Sequence, residues 1–296
     1  MSTVKTKISP ELVIRYLQKH FDKDVEGIDF IKGGESSQAF RFCSKGDDFI
    51  VRVNTSDESF RKDKYAFEHF ASVMILIPEI LHIGQEEGYA FAISTMSLGV
   101  IIKNLPDAQL LLVLPEMISI LDTIHSTDIS SQAGFGKWNT NGVGEFASWK
   151  YFLLNVGMYI ESGKLFETTF LEREVWMKIY TEMEILTAFC PEGRYLVHGD
   201  YGSDNVISDG RRITGILDWA ESIYGDFVYD VAWLSFWGYE KSELYEKPYQ
   251  ERNIPNFKER LLCYKLHIGL GSLSFFAYSQ QKDKYSVVRE RLLKLL

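Results

Sequence analysis

The sequence predicts an α+β fold with a small β-rich N-terminal lobe, residues 1–96, and a larger, mainly helical C-terminal lobe, residues 97–296. Two observations predict this division. Short β-forming runs separated by turn signals such as Gly33-Gly34 and Glu86-Glu87-Gly88 occupy residues 28–95, whereas longer helical periods follow Gly99. With 296 residues, of which 46% are hydrophobic, the chain is long enough to bury a full core.

The first element of the N-terminal lobe is a predicted helix that begins at Ser9-Pro10-Glu11 and ends near Phe21. Ser9 is a good N-cap, Pro10 is tolerated in the first turn, and Glu11 places an acid at the positive end of the helix. Alternating β-rich runs and a turn then predict an antiparallel hairpin. The predicted elements that follow are this hairpin at 28–54, a helix at 58–72, and strands at 80–83 and 89–95.

The C-terminal lobe is predicted from apolar residues that recur at helical spacing. One stretch differs, since residues 195–219 combine short β-rich runs with Gly and Asp and predict strands joined by loops. No internal repeat divides the chain. The predicted helices are 107–125, 146–159, 171–189, 228–237 and 257–277.

The charge and the cysteines limit the classes of partner. A net charge of −9 disfavours a nucleic-acid partner and suits a cationic one, although the same charge also serves solubility alone. Three widely spaced cysteines form neither a disulfide framework nor a metal-ligand pattern, which favours a reducing, cytoplasmic location. Pro115 and Glu116 interrupt the apolar run at 110–121, so we expect no membrane partner. We also expect a monomer.

The segment from His198 to Asn205, with Asp218 on the next strand, carries the strongest signal for chemistry. Phosphoryl transfer needs a carboxylate that orients an acceptor hydroxyl and oxygen ligands for magnesium, and Asp200, Asn205 and Asp218 supply these groups. His-x-Asp, an Asn five residues after the Asp, and a later Asp are typical of kinase-like catalytic loops. Taken singly, these residues would be turn formers and caps. We assign His198 a role in organising the catalytic loop.

A second group of candidates lies in the N-terminal lobe. Gly34, Ser36 and Ser37 form a turn that would let backbone amides approach phosphates, although such turns are more often ordinary hairpins. Arg52 is a lone charge in an apolar strand, so it either faces solvent or needs an anionic partner. As this partner we choose Asp63 over Glu58 and Glu68, which are the alternatives on the same predicted helix. Arg52 would then contact nucleotide phosphates bidentately.

Several longer strings resemble the aminoglycoside phosphotransferase family, most closely its hygromycin B phosphotransferases, over nearly the whole chain. The resemblance implies a protein-kinase-like bilobal fold with Asp200 as catalytic base and Asn205 and Asp218 as magnesium ligands. It further implies that Arg52 contacts the nucleotide phosphates and that adenine binds along Ser94, Thr95 and Met96. The strings are Gly-Glu-Ser-Ser-Gln-Ala-Phe at 34–40, Val-Arg-Val-Asn at 51–54, Lys-Asp-Lys-Tyr at 62–65, Leu-Val-His-Gly-Asp-Tyr-Gly-Ser-Asp-Asn-Val at 196–206 and Gly-Asp at 225–226.

A cationic aminoglycoside needs carboxylates for its ammonium groups and aromatic faces for its rings. Ordinary roles compete with this interpretation, since Trp149 could be helix core, Asp226 a helix cap and Glu145 a solvated acid. The candidate acceptor-binding residues are Glu145, Trp149, Asp200, Glu221, Asp226, Trp237 and Tyr239.

These expectations combine into one predicted activity. The protein transfers the γ-phosphoryl group of ATP or GTP, with Mg²⁺, to a hydroxyl of an aminoglycoside antibiotic, with hygromycin B as the expected acceptor and resistance as the expected outcome. Alternatives are another aminoglycoside, a macrolide, choline or homoserine as acceptor, or a catalytically silent nucleotide sensor. A protein kinase is disfavoured because no Ala-Pro-Glu anchor follows Trp219.

Overall fold

A computed structural model describes residues 8–22, 24–31, 37–158, 163–238 and 241–296. The chain forms two compact units. Unit 1 comprises residues 1–120 and 204–220, and unit 2 comprises residues 121–203 and 221–296.

Strands and helices are numbered here in chain order. The strands are β1 Val25–Ile31, β2 Gln38–Ser44, β3 Asp47–Asn54, β4 Ile80–Glu86, β5 Tyr89–Thr95, β6 Val100–Ile101, β7 Phe135–Trp138, β8 Gly144–Phe146, β9 Tyr195–Val197, β10 Val206–Ser208, β11 Ile213–Ile216 and β12 Ile223–Gly225. The α-helices are α1 Pro10–His20, α2 Glu58–Phe70, α3 Asp107–His125, α4 Trp149–Leu154, α5 Lys164–Thr168, α6 Arg173–Leu186, α7 Val228–Trp237, α8 Ser242–Gln250, α9 Phe257–Tyr278 and α10 Lys282–Leu295.

The main sheet of unit 1 has five antiparallel strands in the order β1-β2-β3-β5-β4. Val51 and Val53 of β3 are buried in an apolar cluster that also contains residues of α1. Side chains alternate across a strand, so Arg52 points to the opposite face. That face is covered by α2, whose Phe60 packs against Ala92, the cross-strand neighbour of Arg52. The alternation therefore directs Arg52 toward α2.

A smaller sheet explains why unit 1 includes a late segment of the chain. Strand β10 pairs with β11 on one side and with β6 on the other, where Ile207 lies opposite Ile101. The β10–β11 hairpin thereby joins the N-terminal part of the chain. The compact units differ from the lobes predicted at residues 96 and 97, because this pairing brings 204–220 back and α3 begins within unit 1.

Judged by length and composition only, helix α3 is long enough and apolar enough to cross a membrane. Its most apolar 18-residue window has a mean hydropathy of 1.3. The core helix of a soluble protein passes the same test, and 39% of this window is buried. Glu116 of α3 accepts the backbone N–H of Ile213 at 2.8 Å, and Val113 and Met117 are fully buried. Unit 1 therefore buries one side of α3, whereas Leu111 and Leu112 of the same helix are 54% and 61% exposed.

Unit 2 combines a four-stranded sheet in the order β8-β7-β12-β9 with helices packed around α9. Helix α9 contacts α6, α7 and α10. The α+β class predicted from the sequence is confirmed, with an antiparallel sheet in the N-terminal part and helices in the C-terminal part. Helices α3 and α7 have the predicted bounds, whereas the predicted helix at 146–159 is represented by the shorter α4 and a 3₁₀ turn at Asn155–Gly157.

Acid should destabilise unit 2 through His267 of α9. Burial, and then the charge of Lys137, lower the pKa of His267 from 6.5 to about 3. The unfolded chain therefore binds a proton below pH 6.5 that the native state does not, and the stability present above that pH is lost as the pH falls. Between about pH 7 and about pH 5, we expect this proton binding to lower the free energy of unfolding of the wild type by about 2 kcal/mol. His267→Gln should lack this part of the decrease.

Urea unfolding at several pH values measures this difference. His69→Gln is the matched control, because His69 is exposed on α2. An identical pH dependence in His267→Gln and the wild type would contradict the assignment.

Candidate active site

Arg52 and Asp63 form an ion pair in unit 1. Arg52 Nη2 donates to Asp63 Oδ2 at 2.5 Å, and the two side chains are 22% and 6% exposed. Burial alone would lower the pKa of Arg52, but the charges of Asp63 and then Asp218 outweigh it and raise that pKa. The structure thus contains the acid partner chosen from the sequence, and Arg52 is held as a cation near Asp218.

The second carboxylate oxygen of Asp63 reaches the chain beside Asp218. Asp63 Oδ1 accepts the backbone N–H of Trp219 at 2.8 Å. Asp218 has a φ of +59°, in the left-handed region that only a few per cent of non-glycine residues occupy, among which asparagine and aspartate are enriched. Such a conformation persists only where its surroundings enforce it, and it is common at functional sites. One carboxylate, that of Asp63, therefore links Arg52 to the segment that carries Asp218.

Asn205 and Asp218 lie at the same end of the β10–β11 hairpin. The N–H of Leu217 donates to the backbone oxygen of Asn205 at 2.8 Å, and the next pair is Val206 opposite Ile216. Mg²⁺ is commonly held by one or two protein oxygen ligands together with substrate phosphates and water. An amide and a carboxylate fit this ion. Among the residues that the structure describes, no group of three or more His, Cys, Asp or Glu side chains could bind a metal by itself.

The predicted nucleotide-binding residues differ in burial, and two of them lie outside the described part of the chain. Ser94 is buried on β5 opposite Ile50, and Ser37 is half-buried, whereas Gly34 and Ser36 lie outside the described residues. Thr95 and Met96 border a pocket of about 430 Å³ within unit 1. The adenine-binding role of these positions stays a prediction. The pocket is lined by Gly46, Asp47, Asp48, Phe49, Thr95, Met96 and Leu98.

The loop that carries Asp200 is anchored inside unit 2 by Asp230 of α7. The backbone N–H groups of His198 and Gly199 donate to Asp230 Oδ2 and Oδ1 at 2.9 and 2.8 Å. His125 Nε2 lies 2.9 Å from Asp230 Oδ2. Asp230 and His198 are fully buried, whereas Asp200 is partly exposed. Asp230 thus fixes the backbone that presents the Asp200 side chain.

Two further features stabilise the conformation of this loop, a glycine with positive φ and a hydrogen bond to His198. Gly199 has a φ of +77°, and a Cβ there would lie 2.5 Å from the backbone oxygen of Glu221, so only glycine fits. The N–H of Asp200 donates to His198 Nδ1 at 3.3 Å, which places the proton of a neutral ring on Nε2. This contact agrees with a loop-organising role for His198.

Sequence reasoning missed Asp230, although a lone acid in the apolar run 228–237 was an available signal.

Two predicted acceptor-binding residues are core residues instead. Trp149 has no exposed surface, and its indole N–H donates to Tyr264 Oη at 3.0 Å. Asp226 also has no exposed surface and accepts from Arg260 Nη2 at 2.5 Å, Arg260 Nε at 2.8 Å and Tyr264 Oη at 2.5 Å. The prediction that they contact the acceptor is therefore wrong, because neither side chain is accessible.

The other acceptor candidates remain accessible where the structure describes them. Glu145 is exposed on β8, and Trp237 is 37% exposed at the end of α7. The Glu221 side chain is 52% exposed and pairs with Lys137. Tyr239 lies outside the described residues. Acceptor binding by these residues stays a prediction.

Removal of the Asp226 carboxylate should destabilise unit 2. Asp226→Ala would leave the guanidinium of Arg260, which is 5% exposed, without its buried counter-ion. Breaking a buried pair from one side costs about 3–5 kcal/mol. Chemical denaturation should show this loss in the free energy of unfolding, and Glu184→Ala, on the exposed surface of α6, should show almost none. A loss below about 1 kcal/mol in Asp226→Ala would contradict the assignment.

Comparison with known proteins agrees with this geometry. A family model described as the phosphotransferase enzyme family matches residues 27–262. Hygromycin-B 4-O-kinase from Escherichia coli is 33% identical over 276 residues, which cover 91% of this chain and 80% of that protein.

Solved structures give the same result. The crystal structure of aminoglycoside phosphotransferase APH(4)-Ia has a TM-score of 0.88 and 31% identity, covering 97% of this chain and 98% of that one. A thermostable mutant of APH(4)-Ia in ternary complex with AMP-PNP and hygromycin B has a TM-score of 0.87 and 30% identity, covering 96% and 97%. The predicted resemblance to the aminoglycoside phosphotransferases and the predicted kinase-like fold are confirmed. This chain belongs to the phosphotransferase enzyme family.

Proposed function

We propose that this protein transfers the γ-phosphoryl group of ATP to a hydroxyl of hygromycin B. The proposal rests on the arrangement of charges in unit 1. Asp63 pairs with Arg52 and also accepts the backbone N–H of Trp219, the residue that follows Asp218. Phosphoryl transfer requires positive charge on the phosphates and oxygen ligands for their metal. The relatives named above support ATP as donor and hygromycin B as acceptor.

The unit 1 residues act on the nucleotide in this proposal. Arg52 contacts the phosphate oxygens and offsets the negative charge that develops on them. Asp63 holds the Arg52 guanidinium in one orientation. Asn205 and Asp218 would hold Mg²⁺, which, when bound, neutralises phosphate charge. Both oxygen ligands come from one hairpin end, so its pairing sets their separation.

Asp200 of unit 2 acts on the acceptor. Its carboxylate orients the acceptor hydroxyl and takes its proton as the oxygen bonds to the γ-phosphorus, while the bond from that phosphorus to the ADP oxygen breaks. The products are the phosphorylated acceptor and ADP, and no covalent enzyme intermediate forms. His198 and Asp230 fix the loop backbone so that Asp200 is presented in one orientation.

A cationic acceptor suits the remaining accessible candidates. Glu145 and Glu221 offer carboxylates for ammonium groups, and Trp237 offers an aromatic face for a sugar ring. The net charge of −9 raises the local concentration of such a cation. The name of the Escherichia coli relative favours the 4-hydroxyl as the position that is modified.

An acceptor panel tests the proposal. Initial rates of nucleotide consumption are measured with ATP or GTP in the presence of hygromycin B, other aminoglycosides, a macrolide, choline and homoserine. We expect the largest stimulation with ATP and hygromycin B. Stronger stimulation by choline, homoserine or a macrolide would assign another substrate, and consumption that no acceptor changes would contradict the phosphotransfer proposal.

A further inference from the structure

The backbone around Asp218 is held on both sides. Its φ of +59° is an unfavourable backbone conformation that persists only where neighbouring contacts offset its free-energy cost. On the N-terminal side, the N–H of Leu217 bonds the backbone oxygen of Asn205 at 2.8 Å. On the C-terminal side, the N–H of Trp219 bonds Asp63 Oδ1 at 2.8 Å, and the carbonyl oxygen of Ala220 accepts from Lys62 Nζ. These contacts fix the direction in which the Asp218 side chain leaves the chain.

Lys62 is the least expected member of this set. Its side chain is on α2 and is 6% exposed, although a buried ammonium is costly unless polar groups surround it. It donates to Ala220, which lies 158 residues later in the chain. Lys62 and Asp63 are adjacent in sequence, and they bind a carbonyl and an N–H of consecutive residues. One turn of α2 thus supplies both a donor and an acceptor to the segment 219–220.

We propose that Lys62 is a positioning residue that, together with Asp63, clamps residues 219–220 and thereby aims the Asp218 carboxylate at the nucleotide-bound magnesium. The metal-directed part rests on the proposed function, whereas the clamp itself does not. Lys62 touches neither nucleotide nor acceptor in this proposal. It acts through the backbone of Ala220, in the way that outer partners orient metal ligands elsewhere.

The chain offers a matched control on the same helix. Lys64 is two residues further along α2, its side chain is 48% exposed, and its Nζ lies 3.7 Å from Glu68. Lys62→Met keeps the apolar stem and removes the ammonium, as does Lys64→Met. Lys62→Gln is a second variant that retains a donor without the charge, in case Lys62→Met does not fold.

Hydrogen exchange of the protein without nucleotide tests the clamp independently of any activity. We expect amide exchange in a peptide spanning 217–221 to be about 10-fold faster in Lys62→Met than in the wild type, because a charge-assisted hydrogen bond is lost. Lys62→Gln should show a smaller increase, and Lys64→Met none. Equal exchange in the wild type and both Lys62 variants would overturn the clamp, whether or not the protein is a phosphotransferase.

Calorimetric titration of ADP at increasing free Mg²⁺ tests the metal-directed part. Mg²⁺ should increase the affinity for ADP, and the titration gives the Mg²⁺ concentration at which half of this increase is reached. We expect this concentration to rise about 10-fold in Lys62→Met and to stay unchanged in Lys64→Met. An unchanged value in Lys62→Met, combined with faster exchange at 217–221, would overturn the aiming role. Wild-type ADP binding that Mg²⁺ does not affect would overturn the proposed metal site and, with it, this role of Lys62.

Discussion

Replacing Asp200 with asparagine is expected to lower acceptor-stimulated turnover about 10³-fold while nucleotide affinity stays unchanged. The amide of Asn can still accept a hydrogen bond from the acceptor hydroxyl, but it cannot take its proton, and a positioned general base contributes about 10²–10⁴-fold. The loop should keep its shape, because its anchors are the His198 and Gly199 amides on Asp230 and not the Asp200 side chain. Steady-state kinetics and ADP titration measure the two quantities.

Asp204→Asn is the matched control for this prediction. Asp204 is close by in sequence, its side chain is 60% exposed, and it pairs with Lys103 at 3.1 Å. Since an exposed pair contributes little, we expect near wild-type turnover. If Asp200→Asn retained more than roughly a tenth of the wild-type rate, far above what loss of a general base allows, Asp200 would not be the base.

Replacing Asp218 with asparagine is expected to lower turnover by about 10²–10³-fold, the range found when one group that stabilises developing charge is removed. Asparagine tolerates the left-handed φ of +59° better than alanine does, so Asp218→Asn removes the charge without adding backbone strain. The thermal midpoint should stay close to that of the wild type. The tightening of ADP binding by Mg²⁺ should be lost, because the carboxylate ligand is gone.

Asp209→Asn controls for charge removal in the same hairpin. Asp209 Oδ1 accepts the N–H groups of Arg211 and Arg212 at 2.9 and 3.0 Å, and asparagine can preserve these turn contacts. We expect its turnover and its response to Mg²⁺ to match the wild type. Wild-type Mg²⁺ dependence in Asp218→Asn would remove Asp218 from the metal site.

The parts of the fold that local pattern controls could be predicted from the sequence. Helices α3 and α7 have the predicted bounds, because each is a long apolar segment with clear ends. Strands β7, β8 and β12 were missed, since each has only three or four residues and contains glycine. Their conformation depends on distant partners, as in the pairing of Tyr224 with Leu196, which no local pattern reports.

Some residues of the candidate site could be predicted from the sequence and others could not. The sequence predicted Asp200, Asn205 and Asp218 because their spacing forms a specific motif, and their roles stay predictions until the variants are measured. Asp230 and Lys62 escaped notice because each binds backbone groups, 32 and 158 residues away respectively. The carbonyl partner of Lys62 leaves no pattern of residue types in the sequence, whereas Asp230 could have been noticed as the one acid in the apolar run 228–237.

The error over Asp226 has the opposite cause. An acid beside the catalytic segment has the chemistry of a cation ligand, and only the structure shows that its cation is Arg260, 34 residues further along. Trp149 was misassigned for the same reason, since an aromatic side chain serves equally well in a core or in a sugar-binding site. Burial decides between these roles, and burial depends on tertiary contacts.

Transfer of the phosphoryl group from ATP to the antibiotic can be followed with a label. ATP labelled at the γ-phosphate is incubated with hygromycin B, Mg²⁺ and either the wild type or Asp200→Asn, and the antibiotic is isolated and analysed by mass spectrometry. We expect labelled, singly phosphorylated hygromycin B with the wild type, and about 10³-fold slower formation with the variant. Label that appears only as free phosphate, or at equal rates on the antibiotic with both proteins, would contradict this expectation.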